Sequence, residues 1–411
     1  MSESPSIALV GLGGYGRVYL AGLLDPSNEG RCRLVAGIDP MPSNCPYLDD
    51  LKARGVPILR SLRQFYRSER ADLAILSSPI HQHCPQTRLA LSHGSHVLCE
   101  KPIAATVQEV DRMIRARDRA GKMVAIGYQW SFSTSIQRLK RDILAGRFGA
   151  PRRLRSLCLW PRDASYYGRN NWAGRRRGPR GAWVLDSPAN NAMAHDLHNM
   201  LYLLGPRIDA SAKPIEVVAE LYRANEIENF DTAALRVRTD GGAEVLFYGS
   251  HAIPENSGPE FYFEFERATV TYSTEREPIV ARCADGTTID YGRPKDDPEV
   301  TKVWTCLASI AGAGAIPCGL EAARAQTICV NGAQDSAGEP VEFPRSLLRF
   351  IGEDSQRLTW VEGLADVLRC CYEAGVLPSE IGVEWAHAGA PVDLSEYRFY
   401  PGGRRARGAG K

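Results

Sequence analysis

The strongest constraint on the fold lies in residues 6–24, which read SIALVGLGGYGRVYLAGLL. A short apolar run, typical of a buried strand, leads into the pattern G-x-G-x-x-G, and a helical segment follows. Gly11 permits a tight turn, Gly13 lets the backbone approach a pyrophosphate, and Gly16 lets the helix lie close to the strand. The free N–H groups at the start of the helix then bind phosphate. The dinucleotide-binding residues predicted in this loop are Gly11, Gly13, Gly14, Tyr15 and Gly16.

This loop opens a stretch of about 125 residues in which strands and helices alternate. Apolar runs such as CRLVAGIDP and ADLAILSSP are separated by helical segments that end at glycine. The alternation predicts a parallel sheet with right-handed crossovers. Asp39 ends the second strand, where a carboxylate accepts hydrogen bonds from the adenosine 2′-hydroxyl and repels a 2′-phosphate. The predicted cofactor is therefore NAD; the alternative is a turn aspartate before Pro40.

The pattern changes further along the chain, where segments such as TAALRVRTDGGAEVLFYGSHA alternate with a period of two around a hairpin turn. We predict an α/β protein with a Rossmann NAD-binding domain at 1–128. An α+β domain for substrate binding and oligomerisation follows at 129–398, built on a large, mostly antiparallel, open-faced sheet. A disordered basic tail is expected at 399–411. The open face is expected to form a homodimer or homotetramer.

Composition argues against several classes of protein. The net charge of +2 is too small to attract nucleic acid or an anionic membrane through a general electrostatic field. The longest nearly apolar stretch, LASIAGAGAIPC, is too short to span a bilayer, and the N-terminus lacks the basic region of a secretory signal. The 11 cysteines show no CxxC spacing, which indicates reduced thiols in the cytoplasm rather than disulfides or a zinc site.

Residues 77–104, SSPIHQHCPQTRLALSHGSHVLCEKPIA, carry a family resemblance. Together with the glycine loop, they resemble the Gfo/Idh/MocA oxidoreductases through a Ser-Pro after a strand, a following His, and a Glu-Lys-Pro on a later strand. The resemblance is clear over residues 7–205 and architectural beyond them. It implies that Lys101 lies beside the nicotinamide and the reacting hydroxyl, where an ammonium stabilises a developing oxyanion. The resemblance also implies that Ser78, Pro79, His83, Glu100, Lys101 and Gln129 line the cofactor, although His83 has the alternative role of a helix cap.

The segment NNAMAHDLHNMLYLLG, at residues 190–205, resembles the family helix Asp-x-x-x-His-x-x-Asp. Its motif positions fall on Asn191, His195 and His198, which are expected to share one helical face toward the cleft. By this resemblance His195 is the candidate general base, and Asn191 and His198 contact the substrate. Asn191 departs from the family because it cannot ionise; Asp186 is an alternative source of that charge. No metal site is expected, since no third ligand has suitable spacing.

A polar segment at residues 159–183 is dense in Arg, Tyr, Trp and Asn, the groups that bind sugar hydroxyls and C–H faces. The substrate candidates here are Arg162, Tyr166, Tyr167, Asn170 and Trp172. The arginines at 175–177 and at 180 form either an anion site or a solvated loop.

These features predict a cytoplasmic NAD-dependent oxidoreductase. Hydride passes between the nicotinamide and a secondary alcohol of a sugar, cyclitol or sugar derivative, while Lys101 and His195 handle the hydroxyl proton. One alternative is a redox-neutral enzyme in which transient oxidation permits elimination or glycoside cleavage. The other is a regulator that binds the dinucleotide without turnover.

Overall fold

The computed structural model describes residues 4–402, and its first domain is a six-stranded sheet. The strands are β1 (Ser6–Val10), β2 (Arg33–Ile38), β3 (Ile58–Leu59), β4 (Leu73–Leu76), β5 (His96–Cys99) and β6 (Val124–Ile126). Their order is β3-β2-β1-β4-β5-β6, and every pair is parallel. The connecting helices are α1 (Gly16–Leu23), α2 (Leu48–Ala53), α3 (Leu62–Phe65), α4 (Ile80–Ser92) and α5 (Val107–Ala120). Strand order reverses between β1 and β4, which opens a crevice at their carboxyl ends.

The second domain is built on a larger, mostly antiparallel sheet. Its strands are β7 (Pro151–Leu159), β8 (Pro214–Arg223), β9 (Thr232–Thr239), β10 (Glu244–Ser250), β11 (Ser257–Phe265), β12 (Ala268–Tyr272), β13 (Val280–Cys283), β14 (Thr288–Asp290), β15 (Val341–Glu342) and β18 (Val392–Asp393). The order is β14-β13-β12-β11-β7-β10-β9-β8-β15, with β18 also paired to β8. Within this second sheet, the β7–β10 and β8–β15 pairs are the parallel ones among its described strands. The predicted fold class is confirmed.

Six α-helices and one hairpin, together with short 3-10 turns, complete the elements of residues 4–402. The helices are α6 (Thr134–Leu144), α7 (Ala164–Gly168), α8 (Ala194–Leu203), α9 (Thr301–Ile310), α10 (Leu320–Ala337) and α11 (Leu364–Ala374), and the hairpin is β16 (Leu348–Ile351) with β17 (Leu358–Val361). No helix within residues 4–402 has the length and apolar character needed to cross a bilayer. All 11 cysteines are free thiols.

The second sheet buries both of its faces where strands β7, β9 and β10 run. On β10, Val245 and Phe247 join the main core, while Leu246 and Tyr248 join a second core against α11. This alternation follows from the two-residue period of a strand. The face that we expected to be open is thus covered here by the chain's own C-terminal segment. These strands are therefore not available for the predicted oligomer contact.

The C-terminal half of the chain also packs against the first domain. The Asn331 side chain on α10 accepts a hydrogen bond from the Val107 backbone and donates one to the Ala105 carbonyl, both at 2.9 Å. The Ile126 N–H donates to the Cys318 carbonyl at 2.9 Å. Residues far apart in the sequence therefore close the first sheet on its β6 side.

The predicted tail at 399–411 begins too early. Tyr400 is buried, and its ring meets that of Trp183 edge-on at 5.1 Å. The Gly402 carbonyl accepts a hydrogen bond from Arg176 at 3.2 Å. The glycines and arginines that follow Tyr400 led to the prediction of a tail. The Tyr400 side chain is nevertheless held against the protein, because its burial removes apolar surface from water. Residues 403–411 lie outside the described part of the chain.

Candidate active site

The glycine-rich loop lies between β1 and α1, at the crevice. A Cβ atom on Gly11, which has φ +83°, would lie 2.3 Å from the Ser77 carbonyl oxygen, and one on Gly16 would lie 1.8 Å from the Gly11 carbonyl oxygen. A Cβ atom on Gly13 would meet nothing closer than 3.5 Å. Two glycines thus permit close packing, and the third leaves the outer side of the loop open, as a bound pyrophosphate requires.

The same loop presents hydrogen-bond donors without protein partners. The N–H groups of Gly13, Gly14 and Tyr15 donate to no acceptor within residues 4–402, and no side chain caps α1. Unsatisfied N–H groups at a helix start bind phosphate. The loop therefore fits a dinucleotide diphosphate.

Asp39 stands beside the loop at the end of β2. Its Oδ2 atom accepts a hydrogen bond from the Leu12 N–H and its Oδ1 atom accepts one from the Met41 N–H, each at 2.8 Å. The half-buried carboxylate is thus fixed next to the phosphate-binding backbone. This position fits the ribose role, which stays a prediction.

The predicted cofactor contact at His83 is wrong. Its Nδ1 atom lies 2.7 Å from the Pro102 carbonyl oxygen and its Nε2 atom lies 2.7 Å from the Ser78 carbonyl oxygen. The ring is buried and both nitrogens are engaged, so none is left for a ligand. His83 instead connects two segments. One is the Ser78-Pro79 turn between β4 and α4, and the other is the Glu-Lys-Pro segment.

Glu100 belongs to a buried polar cluster that the sequence reading missed. The Lys302 ammonium on α9 and the Tyr19 hydroxyl each donate to its Oε1 atom at 2.5 Å. The Lys302 side chain is 1% exposed and that of Glu100 is 7% exposed, so the pair is shielded from water. Lys302 Nζ also lies 3.2 Å from the Tyr15 hydroxyl. The only sequence signal was a lysine on the apolar face of α9, beside the buried Val303.

Gln129 extends this cluster toward a pocket of about 240 Å³. Its Oε1 atom lies 2.9 Å from the Tyr15 hydroxyl oxygen, and its Nε2 atom donates to Glu299 at 3.1 Å. The Tyr15 hydroxyl also donates to Glu299 at 2.5 Å. Both predicted cofactor residues therefore meet the segment that leads into α9. Their contact with the cofactor stays a prediction.

Lys101 is held at the mouth of the crevice by the turn before α8. Its ammonium donates to the Asn191 carbonyl at 2.7 Å and lies 3.4 Å from the Asn191 Oδ1 atom. The Asn191 Nδ2 atom donates to Asp186 at 2.7 Å, and the second Asp186 oxygen accepts from the Gly174 N–H at 2.7 Å. Burial lowers the pKa of Lys101 and raises that of Asp186. Asp186, the alternative source of negative charge, is therefore close to Lys101 but separated from it by Asn191.

His195 lies in the first turn of α8, which begins at Ala194. Its ring stands edge-on to Tyr128 at 5.6 Å and beside Trp130 at 6.4 Å. The Nδ1 atom is buried and has no partner in the described chain. Burial, and then the charges of Lys101 and Lys302, hold the pKa of His195 well below its ordinary value. The imidazole is therefore neutral at physiological pH and able to take a proton.

The predicted shared face of Asn191, His195 and His198 is wrong. Asn191 lies in the turn before the helix. His198 is 1% exposed, is stacked on Tyr128 at 3.8 Å, and has its Nε2 atom 3.0 Å from the Ser131 hydroxyl. Since the helix is buried nearly all round, His198 is a core residue and not a substrate contact.

The predicted substrate segment folds over Asp186. The Arg162 guanidinium lies 5.0 Å from the Tyr166 ring centroid. The Arg169 guanidinium lies 3.6 Å from that centroid and 5.4 Å from that of Trp172. Arg169, which the sequence reading did not select, is 3.9 Å from Asp186. Arg162, Tyr166 and Trp172 are therefore brought together, and Arg169 joins them to the Lys101 group.

Other candidates in this segment have structural partners. The Asn170 Oδ1 atom accepts from the Trp172 and Ala173 N–H groups, so it closes a turn. The arginine cluster is not a single site. Arg176 is buried and donates to Glu339, whereas Arg177 stacks on Trp183 at 3.5 Å. The Tyr167 hydroxyl is enclosed and unpartnered within residues 4–402; its substrate role stays a prediction.

Two curated relatives match part of the chain. The 1-carboxy-3-chloro-3,4-dihydroxycyclohexa-1,5-diene dehydrogenase of Comamonas testosteroni is 30% identical over 36% of this chain and 37% of its own length. The inositol 2-dehydrogenase of Rubrobacter xylanophilus is 24% identical over 51% of this chain and 54% of its own. The match thus spans a third to a half of each relative.

Solved structures show the same fold over more of the chain. The WlbA dehydrogenase of Bordetella pertussis, in complex with NADH and UDP-GlcNAcA, aligns with a TM-score of 0.66 at 21% identity and covers 81% of this chain and 96% of its own. Levoglucosan dehydrogenase, in complex with NADH and levoglucosan, gives 0.66 at 15% identity, with 81% and 97% covered.

Family models match both domains. The model of the oxidoreductase family with an NAD-binding Rossmann fold matches residues 6–128. The model of the GFO/IDH/MocA C-terminal domain matches residues 136–271. Since the two matches cover more than half of the chain, the protein belongs to the GFO/IDH/MocA oxidoreductase family, and its first domain is an NAD-binding Rossmann domain.

Proposed function

We propose that this protein is an NAD-dependent dehydrogenase that oxidises a secondary alcohol of a sugar, a cyclitol or a related cyclic polyol. The observation that carries the proposal is the convergence of Lys101 and His195 at the crevice that holds the dinucleotide loop. Lys101 donates to the Asn191 carbonyl in the turn that leads into α8, and His195 lies in the first turn of that helix. The relatives named as inositol and levoglucosan dehydrogenases support a cyclic polyol as the substrate.

The cofactor residues have separate tasks. The N–H groups of Gly13 and Gly14 would bind the diphosphate, and the Asp39 carboxylate would accept hydrogen bonds from the ribose hydroxyls. NAD, when bound, supplies the hydride acceptor. Glu100, held by Lys302 and Tyr19, keeps the segment that carries Lys101 in place.

His195 takes the hydroxyl proton. A depressed pKa makes imidazole a weak base, but the substrate compensates for this weakness. As the C–H bond breaks, the hydroxyl becomes that of a protonated carbonyl, which is a far stronger acid than an alcohol. The Nδ1 atom is enclosed and lacks a partner among the described residues, so the transfer is assigned to the other ring nitrogen, Nε2.

Lys101 donates a hydrogen bond to the same substrate oxygen. The positive charge of Lys101 disfavours a protonated His195 before the substrate reacts. The same charge stabilises negative charge that develops on the substrate oxygen. Asn191 holds the ammonium through its carbonyl, and Asp186 orients Asn191. In the reverse direction, His195 returns the proton to the carbonyl oxygen.

The test is NADH formation from NAD and pooled sugars, glycosides and cyclitols. Wild type is expected to form NADH. Lys101→Met is expected to lose activity by roughly 10²-fold while it retains NAD affinity, because the lost group acts on the reacting oxygen. Lys52→Met, in an exposed pair with Asp49, serves as the matched control and should match wild type.

A folded protein that binds NAD and forms no NADH from any pool would overturn the proposal. Chromatographic analysis of the same mixtures then distinguishes the alternatives. A new product without net NADH indicates transient oxidation, and unchanged sugars indicate a dinucleotide-binding regulator.

A further inference from the structure

A cationic and aromatic cluster lies next to the proposed reaction centre. We name Arg162, Tyr166, Arg169 and His251 the arginine–tyrosine cluster. Arg162 follows β7 and His251 follows β10, and these two strands are parallel neighbours that end at the same edge of the second sheet. The Tyr166 and His251 ring centroids are 5.6 Å apart, and both guanidinium groups lie within 5.0 Å of the Tyr166 centroid.

Asp186 connects this cluster to Lys101. One Asp186 oxygen lies 3.9 Å from Arg169, and the other accepts from Asn191, whose carbonyl holds Lys101. Asp186 therefore contacts both the arginine–tyrosine cluster and the residue that holds Lys101.

The cluster has more positive charge than its protein partners neutralise. Within residues 4–402, Asp186 is the one carboxylate within 4.0 Å of either guanidinium, and it meets Arg169 alone. Arg162 donates to the Pro161 carbonyl at 2.9 Å and has no acidic partner there. Two guanidinium groups against one carboxylate leave uncompensated positive charge, which favours a carboxylate or another anionic group on the ligand.

His251 adds a hydrogen-bond acceptor to the cluster. It is 2% exposed, and its Nδ1 atom lies 2.8 Å from the Trp160 carbonyl oxygen, so Nδ1 carries the hydrogen. Burial lowers the pKa of His251 to about 3, which keeps the ring neutral. The enclosed Nε2 atom therefore presents a lone pair, and it has no partner among the described residues. Most buried polar atoms have a partner, so an O–H or N–H donor would satisfy this lone pair.

We propose that the substrate is a sugar acid or another hydroxylated cyclic acid, whose carboxylate binds Arg162 and Arg169 while a neighbouring hydroxyl donates to His251. The aromatic faces of Tyr166 and Trp172 take the C–H surface of the ring. The site of oxidation rests on the proposed function; the carboxylate site does not, because it requires binding alone.

The kinetic test uses matched pairs that differ at one carbon: glucuronate with glucose, and galacturonate with galactose. The acid of at least one pair is expected to give a kcat/KM at least tenfold higher than its neutral partner. Arg162→Gln and Arg169→Gln should each raise KM for the acid about tenfold, with a smaller effect on kcat and none on NAD affinity. Arg175→Gln, an exposed arginine in the same segment, is the control and should match wild type.

A binding measurement keeps this inference separate from the dehydrogenase proposal. Calorimetry of the NAD-loaded protein is expected to show tighter binding of the acids than of the neutral sugars, with the difference lost in Arg169→Gln. Arg-dependent acid binding without NADH formation supports the carboxylate site and overturns the redox proposal. Equal binding of acids and neutral sugars, stronger binding of sugar phosphates, or an equal loss for both partners in the arginine variants overturns the carboxylate site.

Discussion

Lys101 and Asp186 are joined through one residue, Asn191, whose backbone carbonyl meets Lys101 and whose side-chain amide meets Asp186, and they do not form an ion pair. The Asn191 carbonyl accepts from Lys101 and its amide donates to Asp186, both at 2.7 Å. The carboxylate therefore orients the lysine without neutralising it at contact distance. Because burial is the largest effect on Lys101, its pKa is lowered.

Exchange of the two side chains tests this arrangement. The double variant Asp186→Asn/Asn191→Asp places the carboxylate directly against Lys101 and keeps the net charge unchanged. The charged form of Lys101 is then favoured, and its pKa should rise. If the charged lysine is the active form, kcat/KM should persist to higher pH, so the alkaline limb of the pH profile moves upward. An alkaline limb that stays in place would show that Lys101 is not the group that titrates there.

Asp39 governs the choice between NAD and NADP. Asp39→Asn keeps an acceptor for the Leu12 N–H and removes the charge that repels a 2′-phosphate. The ratio of kcat/KM for NADP to that for NAD should rise about tenfold or more. Asp39→Ala should give the same change in ratio with weaker binding of both cofactors, since the loop contact is also lost. An unchanged ratio in both variants would falsify the ribose assignment.

Lys302 stabilises the cofactor domain from a distant part of the chain. Lys302→Met leaves Glu100 buried without its cation, which should lower the free energy of unfolding by about 3–5 kcal/mol. Addition of Glu100→Gln should recover part of that loss, because the uncompensated charge is then removed. Urea titration of the single and double variants measures both effects. Lys295→Met, in a half-exposed pair with Glu275, is the control and should change stability by less than about 1 kcal/mol. No recovery in the double variant would contradict this account.

Asp196 makes stability depend on pH. Its carboxyl is 5% exposed, and burial, followed by the charge of Glu275, raises its pKa to about 7. An unfolded aspartate has a pKa of about 3.9, so between about pH 4 and pH 7 the folded state binds more protons than the unfolded state. The free energy of unfolding therefore falls as pH rises through this window. Asp196→Asn should remove the decline and stabilise the protein by on the order of 2–4 kcal/mol at pH 8, with little gain at pH 4.

Thermal unfolding of wild type and Asp196→Asn at both pH values measures this difference. Asp209→Asn, a half-exposed aspartate paired with Arg207, should leave the pH dependence unchanged. A gain of equal size at both pH values would assign the effect to packing rather than to the buried charge.

The sequence supported the glycine loop and the fold class because each depends on local spacing. A side chain at Gly11 or Gly16 would clash with backbone atoms a few residues away or on a neighbouring strand. Glycine is therefore required at fixed positions, which a sequence motif can reveal. His198 shows the limit of helical spacing. It follows His195 by three positions, but the position where α8 begins and the rings of Tyr128 and Tyr202 around it decide that it is buried.

Lys302 and Arg169 could not be selected for a different reason. The partner of Lys302 lies 202 residues earlier, and no pattern within α9 identifies it. Arg169 lies near Asp186 only because the segment 159–183 folds over that aspartate. Contacts of this kind depend on tertiary packing, which periodicity does not encode.

The return of α9 and α10 to the first domain has a consequence for synthesis of the chain. The ribosome completes the six-strand sheet long before Lys302 and Asn331 emerge, and these two residues pair with Glu100 and with the start of α5. Until then, Glu100 lacks its cation and the Val107 N–H lacks the acceptor that Asn331 provides. We expect the cofactor crevice to mature only after translation has passed α10, so that NAD is captured late, by a nearly finished polypeptide.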